Sequence, residues 1–88
     1  MPKTFFPEIH KLVPASSPHP PNTHYKVSIG LEDWEGNYVP VAKVQMVYNG
    51  IVAGRKSPSY PIGSNDYNTV IDTIKDLISQ KTNLRNRS

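Results

Sequence analysis

Cysteine is absent from this 88-residue sequence, which excludes a disulfide framework and any cysteine-ligated zinc site. The sequence also lacks an apolar run near the roughly 18 residues that a membrane-spanning helix needs. Its N-terminal segment lacks the apolar stretch of a signal peptide, because Pro7 and Glu8 interrupt it. Together these absences predict a soluble protein of the cytosol.

Catalytic and metal-binding patterns are also missing. The serines lack a Gly-x-Ser-x-Gly elbow, and the glycines are too scattered to form a phosphate-binding loop. The histidines lack the i, i+4 spacing of a helical zinc site, so we expect them to be exposed loop residues. They are His10, His19 and His24. The sequence therefore predicts a non-enzyme without a cofactor or a metal.

An acidic cluster surrounds the single tryptophan, with Glu32, Asp33 and Glu35 on either side of Trp34. The cluster lacks the Asp-x-Asp-x-Asp-Gly spacing of a calcium loop, and a solvated turn does not raise a carboxylate pKa for catalysis. We interpret it as a polar turn. Tryptophan is enriched at binding hot spots, so Trp34 is a candidate partner-binding residue.

Alternating apolar residues predict three consecutive strands. Residues 25–31 and 38–48 alternate with a period of two. Asn49-Gly50 is typical of a type I′ hairpin turn, which predicts a third strand over 51–56 and pairs Val44 with Arg55. We expect a turn between the first two strands in which Gly36 and Asn37 take positive φ.

A helical stripe follows the strands and a proline-containing loop over 57–64. Apolar residues recur at helical spacing between Tyr67 and Ile78, which predicts a helix over 66–79. Asp66 in the first turn suits the helix dipole. Residues 81–88 then read as a basic flexible tail.

Residues 1–22 hold six of the nine prolines and form a proline-rich arm and connector. The apolar positions 5, 9, 12 and 13 match one face of a short helix, with Pro7 in its first turn. Residues 14–22 are expected to be extended. The small folded domain is then residues 23–80.

The predicted fold class is α+β, a three-stranded antiparallel meander with one C-terminal helix packed on one face (β-β-β-α) after the proline-rich arm. The helix stripe is expected to contact one face of the sheet. That face consists of Tyr25, Val27, Ile29, Leu31, Val44, Met46, Tyr48, Ile51 and Ala53.

A second apolar face remains on the opposite side of this sheet. It carries four valines, Val39, Val41, Val47 and Val52. An uncovered apolar patch marks a contact surface, and unpaired sheet edges are also managed by covering or pairing. We expect either the arm to fold back over the valines through its apolar residues, or another subunit to cover them.

Basic residues offer a second candidate surface. The net charge is +3, and basic groups neutralise phosphates while an exposed tyrosine stacks on a base. The candidate nucleic-acid contacts are Arg55, Lys56, Tyr60, Lys81, Arg85 and Arg87. The sequence lacks the aromatic motifs of RRM domains and the Gly-x-x-Gly loop of KH domains.

The order of elements resembles that of HicB-type antitoxin domains. The resemblance is carried by the strand 25–31, the segment 35–39 and Gly63-Ser64-Asn65 before the helix. It implies a small α/β unit that binds a toxin. Residues 1–22 have no counterpart there, and the segment between the second strand and the helix is longer, so the chain is not assigned to that family.

Two functions stay open from the sequence. The first is a non-enzymatic binding or assembly module that acts through its sheet face or edge, with itself (a homodimer) or another protein as partner. The alternative is a nucleic-acid-binding protein that uses the basic loop and tail. Neither involves a membrane.

Overall fold

The computed structural model describes residues 4–85, with side chains up to residue 82. Four antiparallel strands form one sheet in the order β1-β2-β3-β4, and one helix packs against β1 and β2. The elements are β1 (Phe5–Pro14), β2 (Thr23–Trp34), β3 (Asn37–Tyr48), β4 (Ile51–Ala53) and α1 (Asp66–Arg85). The predicted α+β class with a C-terminal helix on the sheet is confirmed.

Both hairpin turns of the meander are two residues long and have positive φ at both positions. Asn49 and Gly50 have φ of 51° and 81°, as the sequence predicts. In the first turn, Glu35 and Gly36 have φ of 53° and 91°, so the turn lies one residue earlier than predicted. Positive φ at both central residues defines the type I′ turn, whose twist matches that of paired strands.

The predicted short helix in the N-terminal arm is wrong. Residues 5–14 form β1, an edge strand that pairs antiparallel with β2. A bulge between Pro7 and Ile9 shifts the register of this pairing. Ile9, Lys11 and Val13 share the helix side of β1, whereas Phe5 and Leu12 of the predicted stripe lie on the second face. The apolar spacing resembles a helical stripe because apolar residues lie on both faces of the strand and the bulge interrupts its alternation.

The core lies between α1 and the helix-facing side of β1, β2 and β3. Val70 and Leu77 of α1 are buried there, as is Thr73, whereas Tyr67 and Ile78 of the predicted stripe are largely exposed. Of the predicted core, Ile51 is exposed at the far edge of the sheet. The buried apolar cluster comprises Val13, Tyr25, Val27, Ile29, Met46, Val70 and Leu77.

Two predicted boundaries differ from the structure. The helix continues past residue 79 to Arg85, so residues 81–85 are helical rather than a flexible tail. The strand after the Asn49-Gly50 turn ends at Ala53 rather than at Lys56. The Lys56 amide donates to the Ala53 carbonyl at 3.1 Å, and this turn takes the chain away from β3.

The second face of the sheet is not covered by the arm. Val47 is buried, Val39 and Val41 are half-buried, and Val52 is exposed. The prediction that the arm folds across these valines in its own chain is wrong, because β1 lies beside β2 in the sheet. A strand must pair its backbone groups, and pairing with the edge of β2 achieves this.

Candidate binding edge

The outer edge of β3 is open over most of its length. In a two-residue hairpin the residues that flank the turn exchange both hydrogen bonds, as Trp34 and Asn37 do here. Odd-numbered residues of β3 therefore bond to β2, and even-numbered residues point their amides and carbonyls outward. β4 pairs only with residues 46–48. In the described chain, the outward groups of residues 38–44 have no strand partner.

This open segment is apolar on both faces. Pro40 and Ala42 lie on the helix side, and Val39 and Val41 lie on the second face. Lys43, its only charged side chain, forms an ion pair with Glu32 on the neighbouring strand β2. Natural sheet edges are normally protected by charges, prolines or bulges. Pro40 is the only such device among the outward-pointing residues of this segment.

The outer edge of β1 is better protected. Pro7 and Pro14 lie at its two ends, and the bulge before Ile9 interrupts the regular spacing of its backbone groups. Proline lacks an amide donor, and a bulge bends the strand away from a flat edge. The two edges of the sheet are therefore unequal, and the β3 edge is the one that suits an added strand.

An apolar groove lies beside the open edge on the helix side. It has a volume of about 230 Å³, and Ile78 of α1 lines it opposite Ile29 and Ala42 of the sheet. Lys81 Nζ and Glu8 Oε2, 2.5 Å apart, join α1 to β1 at its rim. Side chains of a strand laid along β3 would meet this groove.

A basic recess lies at one end of the open edge. It has a volume of about 290 Å³ and is lined by β3 residues 43–45 and by residues 54–58 that follow β4. Arg55 and Lys56 are exposed there, and Lys56 Nζ lies 5.2 Å from the centre of the Tyr48 ring. The recess exists because β4 stops at Ala53 and leaves the space beside Val44 empty.

An acidic tip, the β2–β3 turn with Asp33 and Glu35, lies at the other end. The exposed Trp34 is held there, because its Nε1 donates to Glu32 Oε1 at 2.7 Å. The Gly36 amide donates to Asp33 Oδ1 at 2.8 Å, which fixes the turn. Hydrogen bonds from Lys43 and then Trp34 lower the pKa of Glu32, so its carboxylate stays charged.

The predicted nucleic-acid residues do not form one surface. Tyr60 stacks on Tyr25, with ring centroids 5.2 Å apart, so its face is not free to stack on a base. Lys81 forms an ion pair with Glu8 of β1 and lines the apolar groove rather than the basic recess. Arg87 lies outside the described residues, as does the side chain of Arg85. Only Arg55 and Lys56 remain together.

A buried polar cluster joins the start of α1 to the β1–β2 connection. Asp66 Oδ1 accepts from the Ser16 hydroxyl at 2.6 Å, and Oδ2 accepts from the Ser16 amide at 2.9 Å and the Tyr25 hydroxyl at 2.7 Å. No local sequence signal predicts this cluster, because Ser16 and Asp66 are far apart in the chain. Burial of Asp66 opposes its charge, but the hydrogen bonds from Ser16 and Tyr25 lower its pKa.

The same cluster holds one of the three histidines. His19 Nε2 lies 2.8 Å from the Ser59 carbonyl oxygen and 3.3 Å from the Tyr25 hydroxyl. Burial, followed by the hydrogen bond to Asp66, raises the pKa of Tyr25. The expectation of exposed loop histidines is wrong for His19, which is half-buried, while His10 and His24 lie in strands.

The geometry of this cluster is structural rather than catalytic. Both oxygens of Asp66 are occupied by donors, and the residue is only 5% exposed, so no reactant reaches it. Elsewhere in residues 4–85, no three His, Asp or Glu side chains come together in a way that could hold a metal ion. Among these residues there is likewise no helix with the length and apolarity to cross a bilayer.

Comparison of the chain with protein-family models, with curated proteins and with solved structures finds no match. The resemblance to HicB-type antitoxins gains no support from these comparisons.

Proposed function

We propose that this protein is a non-enzymatic binding module that accepts an extended strand along the open edge of β3. The observation that carries the proposal is the row of outward backbone groups over residues 38–44, which lacks a strand partner among the described residues and has apolar side chains on both faces. Such an edge pairs readily with another chain. In strand addition, backbone hydrogen bonds give affinity and pockets for alternate side chains give specificity.

Both requirements of strand addition are present beside β3. The outward amides belong to Tyr38, Ala42 and Val44, and the groove below Ala42 takes alternate side chains of the added strand. The sequence-based proposal of a module that acts through a sheet face or edge thus narrows to the edge. Val39 and Val41 contribute as the second-face neighbours of that strand, while Val47 and Val52 lie beside β4.

A peptide library displayed on phage tests this function. Peptides selected on the protein should perturb the amide resonances of Ala42 and Val44, and Ala42→Pro should abolish their binding. Proline removes the outward amide of residue 42 and leaves the β2–β3 hydrogen bonds intact. Ala42→Thr, which keeps the amide and favours a strand, is the matched control and should bind normally.

The proposal fails if the selected peptides perturb another surface, or if Ala42→Pro binds them as well as Ala42→Thr does. The melting temperatures of both variants show that each is folded before binding is compared.

Nucleic-acid binding stays the alternative function, and the exposed pair Arg55 and Lys56 is what favours it. If it is correct, replacing both residues by alanine lowers affinity for oligonucleotides of every sequence and reduces the salt dependence by about two charges. Absence of oligonucleotide binding at low salt would remove this alternative. In either case the cytosol stays the predicted compartment.

A further inference from the structure

We infer that the strand accepted by β3 is the β3 of a second copy of this chain, paired antiparallel about a two-fold axis at Val41. This inference rests on the proposed function, because it names the partner of the same edge. A two-fold interface requires a surface that is complementary to itself. The β3 edge meets this requirement in its backbone, its side chains and its charges.

The two ends of the β3 edge carry opposite charges. The basic recess with Arg55 and Lys56 lies at the Val44 end, and the acidic tip with Asp33 and Glu35 lies at the Tyr38 end. Antiparallel pairing reverses the second copy, so each acidic tip meets the basic recess of the other copy. Complementary potentials of this kind fix the register and speed association. A parallel arrangement would place like charges together.

The recess also lies where the partner's acidic tip would come. Beyond the open edge, the space beside Val44 and Gln45 is unfilled because β4 ends at Ala53. A partner strand in this space is collinear with β4. The start of the partner's β3 then lies beside Gly54, where nothing lies within 4 Å of the position that a side chain would take.

Only one register of the pairing between the two β3 strands is favourable. A register is named here by the residue that lies opposite itself at the two-fold axis. Opposite residues of antiparallel strands share a face, so only registers that pair even with even residues are possible. Centring on Ala42 would place the partner's Tyr38 opposite Met46, which Ala53 already occupies. Centring on Pro40 would oppose two residues that lack an amide.

Centring the pair on Val41 opposes no two prolines and keeps the paired residues 38–44 clear of β4, so that only the partner's turn lies beside Ala53. Tyr38 then lies opposite the partner's Val44, and Pro40 lies opposite the partner's Ala42. About six hydrogen bonds join the two strands, because only the proline donors are missing. Val41 meets the partner's Val41 on the second face, where it is half-buried in the single chain.

The pairing also explains the exposed Trp34. Its side chain is 53% exposed at the acidic tip, held there by Glu32. In the dimer the tip enters the basic recess, and the indole comes close to the partner's Arg55. An aromatic ring beside a guanidinium gains a cation–π contact and is shielded from water. The sequence predicts Trp34 as a partner-binding residue, and in the proposed dimer its contact is Arg55 of the second copy.

The register can be tested with cysteines, because the chain has none of its own. Val41→Cys should form a disulfide-linked dimer rapidly under mild oxidation, because opposed residues without mutual hydrogen bonds have suitable Cα separations. Gln45→Cys is the matched control on the same face of β3. It lies opposite the partner's Asn37 and should cross-link only slowly.

The charge pairing can be tested by reversal, with the dimer dissociation constant measured by analytical ultracentrifugation. Glu35→Lys and Arg55→Glu should each weaken the dimer by roughly tenfold, and the double variant should recover most of the loss. Both sites are exposed turns, so the variants are expected to fold, and their melting temperatures check this.

The inference is overturned if the full chain stays monomeric at high concentration, or if Val41→Cys cross-links no faster than Gln45→Cys. Failure of the charge reversal to recover affinity would also contradict it. These results leave the proposed function intact if selected peptides still bind at Ala42. Loss of peptide binding at the edge, by contrast, would remove the proposed function itself.

Discussion

Among single residues, Asp66 joins two parts of the chain that are far apart in the sequence. It accepts three hydrogen bonds from Ser16 and Tyr25 while 5% exposed, and it thereby fixes the start of α1 to the β1–β2 connection. Leaving buried donors without an acceptor costs roughly 1–3 kcal/mol. We expect Asp66→Asn to lower the free energy of unfolding by this amount at neutral pH.

The effect of Asp66→Asn depends on pH. The folded protein lowers the pKa of Asp66, so the stabilisation is fully present above the unfolded pKa of about 4. It is lost as the pH falls through the lower pKa of the folded state. Urea titrations from pH 7 to pH 2 should show the difference between wild type and variant shrinking below pH 4. The exposed Asp72→Asn in the same helix is the control, and an equal effect there would contradict the role of Asp66.

Gly30 is the other residue with a specific steric role. A Cβ at this position would lie 2.3 Å from the Phe6 carbonyl oxygen and 2.8 Å from the Pro7 Cα, so the β1 bulge passes directly over it. Backbone atoms cannot move aside cheaply. Gly30→Ala should therefore destabilise the fold by roughly 1–3 kcal/mol in chemical denaturation.

Gly54→Ala is the control for Gly30→Ala, because nothing lies within 4 Å of its added Cβ and its φ is not positive. It should change the unfolding free energy by less than about 0.5 kcal/mol. Equal effects of the two substitutions would show that β1 does not pass over Gly30.

At the scale of elements, α1 is held by one narrow face. Leu77 is 3% exposed between α1 and the sheet, whereas its neighbour Ile78 is 48% exposed at the groove. Truncating a buried leucine removes its contacts and leaves a cavity, so Leu77→Ala should cost about 2–5 kcal/mol. Ile78→Ala should cost about 1 kcal/mol or less. If urea denaturation shows a larger loss of unfolding free energy for Ile78→Ala than for Leu77→Ala, then a different face of α1 lies in the core.

The sequence pattern predicts some of the strands and not others. The alternation in β2 and β3 and the Asn49-Gly50 turn are local signals, and they predict the meander. In β1, apolar residues lie on both faces and a bulge before Ile9 interrupts the alternation, so the apolar spacing matches that of a helix. No local signal distinguishes the two structures, because the strand forms by pairing with β2, whose paired residues are distant in the sequence.

The candidate edge was predicted only in part. Val39 and Val41 follow from the alternation, but the sequence pairs Val44 with Arg55 and so closes the edge that the structure leaves open. β4 ends early because the turn from Ala53 to Lys56 leaves the sheet. The basic recess and the free amide of Val44 both result from this turn, which no spacing rule specifies, whereas the amide of residue 42 lies beyond the reach of a strand that ends at Lys56.

For the whole molecule, we predict that two copies join their sheets into one continuous sheet of eight strands, in which each β4 is collinear with the partner's β3. The helices of both copies lie on the same face, because the two-fold axis is perpendicular to the sheet. The two grooves then meet over a shared floor of Pro40 and Ala42 from each chain. The valines of the second face stay on the outside, with the opposed pair at residue 41 in the middle.

Amide hydrogen exchange along β3 shows directly whether its outer edge is where the molecule binds. The odd-numbered amides of residues 39, 41 and 43 bond to β2 and should be protected at every protein concentration. The even-numbered amides of Tyr38, Ala42 and Val44 should exchange fast in dilute protein. They should become protected as concentration rises through the dimer dissociation constant. Pairing through this edge would be contradicted if the even-numbered amides exchange equally fast at all concentrations. It would also be contradicted if they exchange fast under conditions in which sedimentation shows a dimer.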